Sequence, residues 1–231
     1  TESINLAIRG WLAATSPGTK PVLLTSRVEH AAVRDLAEDL AREATQSHGG
    51  CEVRWLAIGS NGVVDVAALE RELVDAAGSS QSRPCLVAAQ WANNETGAIQ
   101  PVAAIAATCK AHRATFLCDA TQWVGKMPMH PGPTAEPACD LLVCSLHKFH
   151  GPKGVGILWS SPKARWRPRQ LGTQELGRRG GTENVPGIVG AAAAARDAMQ
   201  WLADAATREH LASSRDAFER DIIARVNAML P

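Results

Sequence analysis

Side chains able to do chemistry gather in four short segments, each following an apolar run. The first is Val28-Glu29-His30. The second is Trp91-Ala92-Asn93-Asn94-Glu95-Thr96-Gly97. The third is Asp119-Ala120-Thr121-Gln122. The fourth runs from Ser145 through Leu146, His147, Lys148, Phe149 and His150 to Gly151-Pro152-Lys153-Gly154. Together they offer an amine able to form an imine with a carbonyl, a carboxylate, imidazoles that titrate near neutral pH, and several amides and hydroxyls. Taken singly, each has a plainer reading. Asp119 fits a turn or a cap, His30 a structural histidine, and Asn-Asn-Glu-Thr-Gly a simple turn. Lys153 reads as an ordinary surface lysine.

The elements carrying these segments follow from periodicity. Residues 1–14 have helical spacing, with Ile4, Ala7, Ile8, Trp11 and Leu12 on one face. Residues 21–26 read as a buried strand, 30–46 as an amphipathic helix ending near Gly49-Gly50, and 51–58 as a strand followed by a turn at 59–62. Val66, Leu69, Leu73 and Val74 mark a further helix, and residues 85–89 a strand. Pro101 suits the first turn of the next helix. Residues 115–118, 140–145 and 154–160 read as strands, and the chain is helical from about Val185 onward. Continuous apolar strands alternating with helices imply an α/β fold, a mostly parallel sheet covered by helices on both faces. Ligands of such sheets bind beyond the carboxyl ends of the strands, where the four segments fall.

Composition narrows the function classes. Hydrophobic residues make up 45% of the 231, enough for a sizeable core, and the formal net charge is +1. That balance gives no reason to expect nucleic acid or an anionic membrane as partner. The basic stretch 163–179 alternates arginines with Trp166 and by itself resembles a nucleic-acid patch, but a solvated loop within 161–181 is the simpler reading. No apolar run is long enough to span a membrane. The first residues carry neither a basic start nor an apolar core, so they do not read as a signal peptide. The six cysteines are scattered without a C-x-x-C pair, which argues against a disulfide framework or a zinc site. They read as buried free thiols in a reducing, cytoplasmic compartment.

One cofactor would use every one of these groups. A pyridoxal 5'-phosphate (PLP) site needs a lysine for the aldehyde and a carboxylate for the pyridine nitrogen. It also needs a flat ring against the cofactor face, donors for the ring oxygen, and hydroxyls, amides and a helix N-terminus for the phosphate. The four segments supply a candidate for each role.

TESINLAI, TSRVEHAAV, WANNETGAIQPV, DATQWVGK, SLHKFHGPKGVGIL and GRRGGTENVPGIVG occur in this order. They resemble successive motifs of the cysteine desulfurases, nitrogen-fixation type, within the class-V aminotransferase superfamily; selenocysteine lyases share much of the pattern. The resemblance runs from Thr1 to about Gly190. It implies the large domain of fold-type I PLP enzymes over residues 1–190, with 191–231 as a helical connection toward a second, C-terminal domain. By the same resemblance Lys148 matches the Schiff-base lysine and Asp119 the partner of the pyridinium nitrogen. His30 matches the histidine that stacks on the ring and helps move protons. Gln122 matches the side chain bonding the ring oxygen, and Asn94 an asparagine near that oxygen and the substrate; Asn93 is more of a turn residue. Ser145, His147 and Thr1 match phosphate ligands. Thr182 matches a threonine that reaches the phosphate of a neighbouring subunit, which implies a homodimer.

The implied reaction takes L-cysteine to L-alanine and leaves sulfur as a persulfide on an enzyme cysteine, to be passed to an acceptor protein, as in iron–sulfur cluster assembly. Two departures from the family pattern touch the local backbone: Leu171-Gly172-Thr173 stands before Gln174-Glu175 where a Gly-Gly pair is usual, and Leu146 replaces a small residue. The resemblance also implies segments outside this chain: a cysteine-bearing mobile loop and an arginine for the substrate carboxylate. None of the six cysteines lies in a matching loop, so this chain alone is expected to bind PLP poorly and not to desulfurate cysteine. The alternatives are a selenocysteine lyase or another class-V relative, and, from a different class, a catalytically dead chain.

Overall fold

Apolar runs without alternation make strands that are buried on both faces, and here they assemble into one central sheet. The computed structural model describes residues 1–46, 50–78, 83–129 and 138–229. Gly49, where the second helix was expected to end, and Leu230 and Pro231 at the chain end lie outside the described residues. The elements are α1 (Glu2–Ala14), β1 (Val22–Thr25), α2 (Ala31–Gln46), β2 (Glu52–Trp55), α3 (Val66–Ala77), β3 (Cys85–Gln90), α4 (Val102–Ala111), β4 (Thr115–Asp119) and β5 (Leu141–Ser145). A short 3-10 turn (Leu146–Phe149), β6 (Gly156–Ser160), one turn of helix α5 (Gln174–Gly177), α6 (Val185–Ala203) and α7 (Ala205–Met229) complete the order.

The sheet order is β2-β1-β3-β4-β5-β6. Strands β1 to β5 pair in parallel, and β6 pairs antiparallel with β5. Successive side chains alternate between two apolar layers. Val22, Leu24, Val87, Ala89, Phe116 and Cys118 face the layer made with α3 and α4. Leu23, Leu86, Ala88, Leu117 and Leu141 face the layer made with α1 and α2. A smaller cluster joins Cys144, Leu146 and Phe149 to Ala191 and Ala194 of α6. All six cysteines are free and buried in these layers, as expected. No helix among the described residues is long and apolar enough to cross a membrane.

Two expectations change in detail. The strand expected over 51–58 stops at Trp55, because the chain then folds back through the Ile58–Val64 bridge and a turn with Gly62 at φ +76°. The loop at 161–181 is not wholly free. Trp166 packs against the α1/α2 layer, the Arg167 N–H donates to the Gly10 carbonyl at 2.9 Å, and Arg179 pairs with Glu2 at 2.7 Å. These ties hold the loop against α1.

Gly125 marks another close approach. Its φ is +77°, and a Cβ there would lie 2.5 Å from the Phe149 ring. The turn after β4 can therefore lie directly on the turn that carries Lys148. Gly125→Ala is expected to destabilise the fold by more than about 1 kcal/mol, from left-handed backbone strain and the clash together. Urea denaturation measures this; unchanged or increased stability would contradict the packing.

Candidate functional site

The chain leaves β1 for β2 on one side and returns to β3 on the other, so the direction of winding reverses between β1 and β3. Crevices open beyond the carboxyl ends of strands at such a switch point. Here one cleft is lined by Thr1, His30, Asn94, Asp119, Gln122, Ser145, His147 and Lys148, together with Ile4, Gln90, Ala92 and Thr121. Eight of the nine residues singled out in the sequence thus meet in one place. The ninth, Thr182, is exposed and outside that lining.

Each side chain is held by local structure. Asp119 ends β4 at 7% exposure, and its Oδ1 accepts from the Thr121 N–H at 3.0 Å. His30 stands immediately before α2, and its Nδ1 accepts from the Ala32 N–H at 3.1 Å. A ring nitrogen that accepts carries no proton in the neutral ring, so the proton sits on Nε2 and the ring plane is fixed. Ser145 Oγ and His147 Nδ1 lie 2.9 Å apart. Lys148 is exposed on the short turn after β5. Thr1 caps α1 without spending its hydroxyl on a capping bond, and the first N–H groups of a helix favour an anion. Asn93, expected as a turn residue, accepts from the N–H groups of Glu95 and Thr96, both at 2.8 Å.

Three features were not singled out from the sequence. Gln90 ends β3; its amide and that of Asn93 both donate to the Val28 carbonyl, at 2.7 and 2.8 Å. Trp91 and Trp123 stack with centroids 4.3 Å apart, joining the loops that carry Asn94 and Gln122. Glu29, only 3% exposed, links two strand ends: Ser26 Oγ donates to Oε1 at 3.0 Å and the Gln90 N–H to Oε2 at 2.8 Å. Burial pushes its carboxyl from an ordinary value of 4.5 up to about 8; the Ser26 bond opposes that rise, the nearby Asp119 charge adds to it, and the Gln90 N–H opposes it. A buried Glu beside a histidine in Val-Glu-His has no sequence signature of its own, because the strand end it ties, at Gln90, is far away in the chain.

The Aminotransferase class-V family model matches residues 1–222. The chain belongs to the class-V aminotransferase family. A cysteine desulfurase of Klebsiella pneumoniae is 39% identical over 209 residues, covering 90% of this chain and 48% of that protein. One from Cereibacter sphaeroides is 39% identical over 227 residues, covering 98% of this chain and 53% of that protein. A solved NifS-like protein superposes with a TM-score of 0.81 at 33% identity, over 96% of this chain and 57% of its own. SspA, solved in complex with cysteine, gives 0.70 at 30% identity, over 84% and 52%. The chain of this class-V family member spans about half the length of the curated relatives it matches.

The buried Glu29 makes stability depend on pH. Between 4.5 and about 8 the folded chain keeps a proton that the unfolded chain releases. This contribution is full below pH 4.5 and is lost as pH rises toward 8, at up to about 1.4 kcal/mol per pH unit. Glu29→Gln keeps an acceptor for the Gln90 N–H and a donor for Ser26. Urea denaturation from pH 5 to 8 is expected to show a shallower decline in the variant; parallel profiles would contradict the assignment.

Proposed function

We propose that this chain is the cofactor-binding core of a PLP-dependent cysteine desulfurase. The observation that carries the reading is the meeting of an amine, a carboxylate, an oriented imidazole and an anion-favouring helix end in one cleft, in a class-V aminotransferase chain similar to cysteine desulfurases. The donor set fits PLP. Ser145, His147, Thr1 and the first N–H groups of α1 would take the phosphate. Asp119 would face the pyridine nitrogen and hold its proton. His30, with its ring fixed through Nδ1, would lie against the cofactor face. Gln122 and Asn94 would bond the ring oxygen. Lys148 would hold the cofactor covalently.

PLP, when bound, supplies an electron sink for negative charge at the carbon bearing the substrate's amino group. Lys148 Nζ, freed by the arriving amino group of L-cysteine, would move a proton at that carbon. His30 Nε2 is the other group placed to hold or pass one. Glu29 lies outside the cleft lining and would brace the strand ends beneath it rather than meet the ligand.

The sulfur-accepting thiolate would not be one of the six cysteines, all of which are buried. Burial pushes Cys51 and Cys139 up to about 12 and Cys144 to about 11, and raises Cys85, Cys109 and Cys118 as well. A thiolate is the competent nucleophile, so it would come from a more exposed cysteine elsewhere in the complete protein, with a further protein as final acceptor. We read residues 1–190 as the PLP-binding domain and 191–231 as a helical connection. The exposed Leu211, Phe218 and Ile223 of α7 support a surface that packs on more protein. Exposed Thr182 suits contact with a second subunit in a homodimer.

The test is the visible absorbance of lysine-bound PLP in a complete protein carrying this segment, alongside alanine release from L-cysteine. Lys148→Ala is expected to lose both band and activity, and Lys153→Ala to keep both. A Lys148→Ala protein that retains the band, or a parent with the band but no alanine release, would overturn the reading.

A further inference from the structure

Lys126 is a second lysine close to the cleft, and the reading above gives it no role. It lies four residues after Gln122 in the turn that follows β4. The Val124 N–H donates to the Ala120 carbonyl at 2.9 Å and the Lys126 N–H to the Trp123 carbonyl at 3.0 Å, and the left-handed Gly125 between them, at φ +77°, folds the chain so that Lys126 comes back onto Gln122. Lys126 Nζ donates to Gln122 Oε1. No carboxylate among the described residues pairs with Lys126. Burial, then the neighbouring Lys148 ammonium, pull its pKa down. Its side-chain partner in this half-buried setting is the Gln122 oxygen.

The chemistry of the two groups fixes an orientation. An ammonium has three donors and no acceptor. It can engage the amide of Gln122 only through Oε1, so the group left for the cleft is Nε2 with its two N–H donors. A free glutamine can present either end, because the two differ little in shape. The turn itself is braced from two sides. Gly125 rests on Phe149, and Trp123 stacks on Trp91 while its Nε1–H donates to the Pro128 carbonyl at 3.1 Å.

We infer that Lys126 is a positioning residue that orients the Gln122 amide, making that wall of the cleft a fixed donor for an acceptor oxygen on the ligand. The inference rests on the PLP reading for the identity of that oxygen, which is then the one on the cofactor ring. The orientation itself does not depend on the ligand.

The test has a ligand-free arm and a PLP arm. In the ligand-free chain, the Gln122 side-chain NH2 resonances are followed by 1H–15N NMR in the parent, Lys126→Met and Lys126→Arg. Lys126→Met is expected to shift or broaden them, while Lys126→Arg, which keeps a donor, leaves them near the parent position. In the second arm PLP itself is titrated into a complete protein carrying this segment and into its variants. Lys126→Met is expected to weaken PLP by roughly five- to tenfold, the usual scale of one lost hydrogen bond, and to displace the visible band. Gln122→Glu keeps the contact with Lys126 but removes the donor, so it is expected to match or exceed that loss. Combining Lys126→Met with Gln122→Ala is expected to add little to Gln122→Ala alone. Unchanged Gln122 resonances in Lys126→Met, or additive losses in the double variant, would overturn the inference. A parent with no band would sink the PLP reading instead, and the NMR arm would still decide the role of Lys126.

Discussion

Five parallel strands must all end on the same edge of the sheet, and that constraint underlies everything else in this chain. Parallel pairing needs a crossover between each pair of strands, so helices fill both faces and the carboxyl-terminal edge is left open for polar groups. Ser26, Gln90, Asp119 and Ser145 stand at successive strand ends along that edge. Their register is enforced by the two apolar layers, because a slip of one residue would exchange Leu23 with Val22 and Leu24 between layers. Precision at the cleft is thus inherited from burial far from it.

Within the edge, two sets of hydrogen bonds hold the turn after β1. Glu29 ties the end of β1 to the end of β3, and the amides of Gln90 and Asn93 close on the Val28 carbonyl from the other side. The turn that presents His30 is therefore anchored on strands rather than left to loop flexibility. On the opposite wall the stacked Trp91 and Trp123 and the Gly125–Phe149 contact hold the turns after β3, β4 and β5 against one another. Few of the bracing residues touch a ligand in the reading given above. Their effect is to fix where His30, Asn94, Gln122 and Lys148 stand.

Much of this was legible in the sequence, for a physical reason. Strands buried on both faces leave continuous apolar runs, so β1, β3, β4 and β5 were placed within a residue or two, and the polar residues after them pointed to the cleft. The β6 strand could not be assigned a direction from its own residues, because pairing antiparallel to β5 is decided by how the chain returns. The ends of β2 were blurred by the apolar residues that continue into the Ile58–Val64 bridge. Glu29, Gln90 and the tryptophan pair went unread because each depends on partners about thirty or sixty residues away. The packing of Trp166 onto the α1 layer was hidden among arginines that suggested a solvated loop.

In the proposed function Lys148, and no other amine at the cleft, would hold PLP. Borohydride reduction of the PLP-loaded protein followed by peptide mass spectrometry tests it most directly, since reduction makes the lysine linkage permanent. The account predicts the added phosphopyridoxyl mass on the peptide at Lys148, with Lys126 and Lys153 unmodified. Stoichiometric label on Lys126 or Lys153, with Lys148 unmodified, would contradict it.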